Sequence, residues 1–194
     1  MAVHGLHRKL RWSDFRKIHE STNGFDAQTF TNISVQTRFA FNGQGNWRVT
    51  RVNVTLSLNQ RETWVVRGRE KPDLLAHEQR HYDIAAVAAR TLEQRLNDLH
   101  GDRATTARET VNQITNDILG ERTADGRVIS RGVLQEVQDR YDDDATCGSD
   151  HSRNRDNQAL WTLNISRVLA DDAAGIDELN SCPRPRATPQ AAGQ

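Results

Sequence analysis

The stretch Pro72-Asp73-Leu74-Leu75-Ala76-His77-Glu78-Gln79-Arg80-His81-Tyr82-Asp83-Ile84-Ala85 decides how this chain is read. Its apolar positions, continued by Ala88, Leu92, Leu96 and Leu99, recur at spacings of three and four, the period of an amphipathic helix. Pro72-Asp73 suits a first helical turn, and His100-Gly101 suits a stop. Within that helix His77 and His81 are four residues apart, so both imidazoles leave one face about one turn apart and can reach a single cation. Glu78 follows the first histidine, where its carboxylate can address a water on the cation without binding the metal itself. This is the HExxH arrangement: one zinc ion lowers the pKa of a bound water toward ~7, and the glutamate takes the proton. Two surface histidines are the bland alternative, and the position of the match inside an amphipathic helix favours the metal.

Catalytic zinc usually takes three protein ligands, so a third donor must come from elsewhere. The continuation HExxHxxGxxH is absent, because Ile84 and Val87 stand where Gly and His would be needed. Glu93 and His100 lie on the same helix as His77, roughly 24 Å and 34 Å along it at 1.5 Å per residue, and cannot reach. Asp83 is about 200° round the helix from His81 and points away from the ligand face. His151, in a polar stretch before the last helix, remains as the third ligand, with Glu109 and Glu136 as fallbacks.

Working outward, the first third reads as strands. Ile33, Val35, Thr37, Phe39 and Phe41 alternate with more polar residues, as do Val52, Val54, Leu56 and Leu58, and Asn42-Gly43-Gln44-Gly45-Asn46 between them supplies turn chemistry. Trp64-Val65-Val66 is expected to add a short strand to the same small antiparallel sheet. After the HExxH helix, further helices are expected over about 102–119, 130–141 and 157–170, with residues 120–126 as an interruption. The fold class is therefore α+β: a small N-terminal antiparallel sheet packed against a zincin-like HExxH helix, followed by C-terminal helices. One domain over 10–175 is expected, with tails at 1–9 and 176–194.

The 194 residues carry 26 basic and 26 acidic side chains. A net charge of zero offers no field to gather phosphates, and no apolar run reaches the ~20 residues that cross a bilayer, so neither nucleic acid nor membrane is an expected partner. The expected partner is a peptide or protein substrate met by a monomer. Cys147 and Cys182 are too few for a disulfide scaffold; they are either one bridge or two free thiols. The compartment follows the same division: periplasmic or secreted if an upstream signal has been removed, otherwise cytoplasmic.

Four places resemble a bacterial family, the proteins with domain of unknown function 922. Leu10-Arg11-Trp12-Ser13-Asp14-Phe15 is similar to its opening LxWSDF, and Asp26-Ala27-Gln28-Thr29 to its DAxT. Leu74–Ala85 is similar to its LLxHEQxHFDI helix. Tyr141-Asp142, His151, Gln158 and Trp161 match its final YDxxTxHG…Q…W pattern, with Ser152 in place of the glycine and about three extra residues before His151. The resemblance implies a zinc protease. Registering the last motif on Gln158 and Trp161 puts the family's histidine on His151, whereas counting forward from Tyr141 puts Cys147 at the ligand position; a loop absorbs an insertion more readily than a helix, which favours His151.

Weaker candidates complete the set. Asp83 is a candidate to orient a ligand histidine or anchor a neighbouring loop, against a solvated helix charge. Tyr82 and Tyr141 are candidates to stabilise an oxyanion, against packing. Asp142-Asp143-Asp144 hints at calcium but lacks the glycine and distal glutamate of an EF-hand loop, and reads as a solvated charge run. The function expected is peptide-bond hydrolysis with Glu78 as base; the alternatives are an amide hydrolase on a non-protein substrate such as cell-wall peptide, or a non-catalytic metal-binding interaction domain.

Overall fold

In the computed structural model, which describes residues 3–183 apart from 124, 126, 144 and 145, two short strands, β1 (Arg16–Ile18) and β2 (Ala27–Gln28), lead into a long hairpin of β3 (Thr31–Phe41) and β4 (Trp47–Leu58). Ile33 lies opposite Leu56, Val35 opposite Val54 and Thr37 opposite Val52, so the alternating apolar residues share one face. Val52, Val54, Leu56 and Leu58 are buried on it. β5 (Trp64–Val66) does not extend the hairpin as expected. The turn after Leu58, closed by Thr63 N–H to the Asn59 carbonyl at 2.8 Å, carries it away to pair in parallel with β1 and antiparallel with β2 in a second sheet.

Helix α1 (Pro72–Asn97) packs across the buried face of β4 and touches every later helix. Its middle is apolar nearly all round: Tyr82, Ile84, Ala85, Ala86, Val87, Ala88, Ala89 and Leu92 are fully buried, the signature of a central helix, and the alanines let neighbouring elements approach closely. β6 (His100–Gly101) returns to pair with Trp47 and Arg48 of β4. Then come α2 (Ala107–Leu119), α3 (Val133–Asp142) and α4 (Arg155–Ala170). Gly120, at φ 80°, ends α2, and the segment expected as a mere interruption forms a small hairpin of β7 (Glu121–Arg122) and β8 (Val128–Ser130). Among the described residues no helix is long and apolar enough to cross a membrane.

Both expected tails are partly built in. Val3 is buried, His4 N–H donates to the Val54 carbonyl at 3.2 Å, and Leu56 N–H donates to the His4 carbonyl at 2.9 Å. The edge of β4 would otherwise leave those main-chain groups without protein partners, which is why the N-terminal residues bind there. At the other end, Ile176 and Leu179 are fully buried in a short 3₁₀ turn, and Cys147 is disulfide-bonded to Cys182. The segment 184–194, expected to be flexible, lies outside the described residues. Arg90 clamps this end of the molecule to α1. Its guanidinium donates to the carbonyls of Val168, Leu169 and Ala174, which caps the last turn of α4.

Candidate metal centre

His77 and His81 leave α1 on one face, as their spacing requires, with ring centroids 4.7 Å apart and their Nε2 atoms 3.0 Å apart. Asp142, the last residue of α3, brings Oδ1 to 2.9 Å from His81 Nε2 and 3.2 Å from His77 Nε2. That carboxylate oxygen is buried and takes part in no directed hydrogen bond. The three atoms thus converge on a common point, and His77, His81 and Asp142 could hold a metal ion. Two imidazoles and one carboxylate are a donor set suited to a divalent transition metal.

The distal ring nitrogens explain why both Nε2 lone pairs face inward. Ser149 Oγ donates to the Tyr141 carbonyl at 2.9 Å, so at 3.0 Å it accepts the proton on His77 Nδ1. His81 Nδ1 is paired with Gln138 Oε1, while Gln138 Nε2 donates to the His81 carbonyl at 2.9 Å, which fixes the amide's orientation and leaves the oxygen as acceptor. Each imidazole therefore carries its proton on Nδ1 and offers Nε2 as a ligand. Tyr141 stacks on His77 at 4.7 Å and meets His81 edge-on at 5.1 Å, holding both rings against rotation. Replacing Ser149 with Ala is expected to weaken zinc binding by about 10–100-fold without unfolding the protein. Competition with a chromophoric chelator reads this directly, and an unchanged affinity would show that Ser149 does not set the tautomer.

Electrostatics favours one positive charge at the point of convergence. Burial holds His77 down to about 4. At His81 burial acts in the same sense, but the Asp142 carboxylate and Glu78 outweigh it and raise the group to about 9. Burial pushes Asp142 up, yet the two imidazoles beside it prevail and hold it well below the usual carboxylate range. A proton or a metal ion there relieves the crowding of two lone pairs and an anion.

Glu78 is 2% exposed and its Oε2 has no hydrogen-bond partner. Burial, opposed by His81 and Thr29, raises it to about 7, where a carboxylate takes up and releases a proton readily. Glu78, His81 and Asp142 border a cleft of about 480 Å³ that the start of β3, Thr31 to Ile33, also lines. Among the described residues β3 is an edge strand, paired with β4 alone. The Phe30 carbonyl accepts from Asn59 N–H at 2.8 Å, so by alternation Asn32 turns its main-chain groups toward β4, and Thr31 and Ile33 turn theirs outward along the cleft.

Other candidate residues sit elsewhere. His151, favoured on sequence as the third ligand, lies beside the cluster but outside the converging set, its Nδ1 3.7 Å from Asp142 Oδ1. The group that meets the two histidines in that place is the carboxylate of Asp142, which the chain hides in an acidic run; Asp144 lies outside the described residues. Cys147 is not available to a metal, because its sulfur is bonded to Cys182. Neither Glu109 nor Glu136 belongs to the cluster. Asp83 meets Arg80 at 2.6 Å and accepts from Gln79 Nε2 at 2.8 Å, and Gln79 in turn binds Leu10 N–H and the Arg8 carbonyl, so this side of α1 anchors the N-terminal segment. Tyr82 and Tyr141 are fully buried and neither borders the cleft; the Tyr82 hydroxyl donates to the Gly5 carbonyl at 2.8 Å. Gln138 and Ser149 escaped the sequence altogether, since glutamine and serine in polar stretches carry no local signal of supporting a histidine on another helix.

No curated protein and no solved structure matches the chain. The family model described as "Bacterial protein of unknown function (DUF922)" matches residues 3–129. That span takes in the edge strand, the whole of α1 and the HExxH residues, and it stops short of Asp142 and His151. With well over half of its length matched, the chain belongs to the DUF922 family of bacterial proteins.

Proposed function

We propose that the chain is a zinc metallopeptidase with a zincin-like site, His77, His81 and Asp142 holding the ion and Glu78 acting as base. The observation that carries it is the pairing of a converging His-His-Asp set with a buried carboxylate, Glu78, one of whose oxygens has no hydrogen-bond partner. Zinc held there supplies a Lewis acid that acidifies water and polarises a carbonyl. Glu78 Oε2 accepts the proton of the attacking water and returns it to the departing amine nitrogen. The outward main-chain groups of Thr31 and Ile33 pair with an extended substrate and lay its scissile bond across Glu78, so recognition rests on the substrate's backbone. This open strand edge favours a peptide or protein chain over a compact non-protein amide. Ferrous iron also uses two histidines and one carboxylate, but a solitary buried glutamate beside the donors favours hydrolysis.

The test is metal content together with proteolysis of denatured casein by the full chain. One equivalent of zinc is expected, with cleavage that a chelator abolishes and zinc restores. A protein that takes up no metal from excess zinc at neutral pH, or a zinc-loaded protein that cleaves nothing, overturns the assignment.

A further inference from the structure

Asp150, His151 and Ser152 are three successive non-glycine residues in the left-handed region, with φ of 44°, 46° and 74°. Such backbone is disfavoured for L-residues and persists only where its surroundings over-determine it. Here they do. Ser149 N–H donates to the Tyr141 carbonyl at 2.7 Å, Arg153 N–H to the Asp150 carbonyl at 2.9 Å and Asn154 N–H to the Ser149 carbonyl at 2.9 Å. Just before the turn, Gly148 lies so close to the end of α3 that a Cβ would stand 2.0 Å from the Asp143 carbonyl oxygen, and Cys147 is tied to Cys182. The loop is thus pinned to the same helix end that carries Asp142.

The product of this constraint is the placement of one imidazole. The His151 ring packs on Phe25 at 4.1 Å and stands 5.7 Å from the His77 ring. Among the described residues neither of its nitrogens makes a hydrogen bond, and its Nδ1 stands 3.7 Å from Asp142 Oδ1. A second cavity of about 350 Å³ adjoins this site, and among the described residues Phe25, Ala27, Glu78 and His151 border both spaces. Glu78 and His151 thus border the same two spaces, so a chain lying against Glu78 there has His151 as another wall residue.

We propose that His151 is a catalytic residue that donates a hydrogen bond to the substrate's carbonyl oxygen as it becomes an oxyanion, and that it is not a metal ligand. This rests on the peptidase assignment above. Water oxygen bonds to the carbonyl carbon, its proton passes to Glu78, and the carbonyl π pair moves onto oxygen, where the His151 N–H receives it as a hydrogen bond without giving up its proton. When the carbon–nitrogen bond breaks, that pair returns to re-form the carbonyl and the Glu78 proton goes to the amine. A neutral imidazole always carries one N–H, so the role needs no change of charge.

The test compares the zinc-loaded full chain with His151→Asn, which tolerates the left-handed backbone, and His151→Gly, which adopts it freely while deleting the ring. Zinc affinity and the absorption spectrum of the cobalt-substituted protein are expected to stay as in the wild type. On casein-derived peptides kcat is expected to fall about 100- to 1000-fold with KM nearly constant. Binding of a phosphonate peptide, a tetrahedral anion, is expected to weaken at least about 100-fold. A lost zinc ion or an altered cobalt spectrum would make His151 a ligand and overturn the proposal. Unchanged kcat and phosphonate affinity would make it a packing residue and overturn it too. If the wild type itself neither cleaves peptides nor binds the phosphonate, the peptidase assignment fails and this role falls with it.

Discussion

Asp142→Ala is expected to weaken zinc binding by about 1000-fold or more, well beyond the 10–100-fold typical of losing a supporting residue. The carboxylate supplies the only formal negative charge among the three converging donors, and without it two neutral imidazoles must hold a dication alone. Against burial, Asp142 is the foremost of the groups that raise His81 to about 9, so its removal lowers the proton affinity of the site as well as its metal affinity. Isothermal titration at neutral pH reads the loss, and a thermal-shift assay reads it again, because zinc stabilises only a protein that binds it. Asp142→Asn retains an oxygen in the same place but not the charge, and falls between wild type and Ala. Full zinc affinity in Asp142→Ala would remove this residue from the ligand set.

Glu78→Gln is expected to keep its zinc and lose about 1000-fold or more in kcat, the upper part of the range for a positioned general base. Glutamine has the same shape and cannot take a proton at the terminal position, so the comparison isolates that one property. The metal-free protein offers an independent readout. Glu78 is raised to about 7 in the fold, against an unfolded value of 4.5, so the folded state binds its proton more tightly. Stability therefore declines as pH climbs from about 4.5 through about 7, and Glu78→Gln abolishes that share of the decline. Melting curves over this range in chelator test the sign. A variant that hydrolyses casein as fast as the wild type would show that another group removes the proton.

The main periodic elements and half of the site were legible in the chain. A hairpin over Thr31–Leu58 and a helix from Pro72 follow from alternation and from three-and-four spacing, which neighbours along the chain impose on one another. The same local rule puts His77 and His81 on one face with Glu78 between them, before any tertiary contact exists.

What the tertiary structure alone decided is everything that depends on which distant elements meet. The partners of β5, the pairing of His4 with β4 and the open edge of β3 depend on where chain reversals send each strand. So do the Cys147–Cys182 bond and the arrival of Ser149 and Gln138 behind the two imidazoles. Asp142 is the sharpest case. Within Asp142-Asp143-Asp144 it looks like a solvated charge, and His151 looks the better donor, because spacing along a chain measures reach only inside one rigid element. Where α3 ends relative to α1 is set by the packing of Val137, Tyr141 and Trp161 in the core, and that packing, not the acidic run itself, delivers the carboxylate to the histidines.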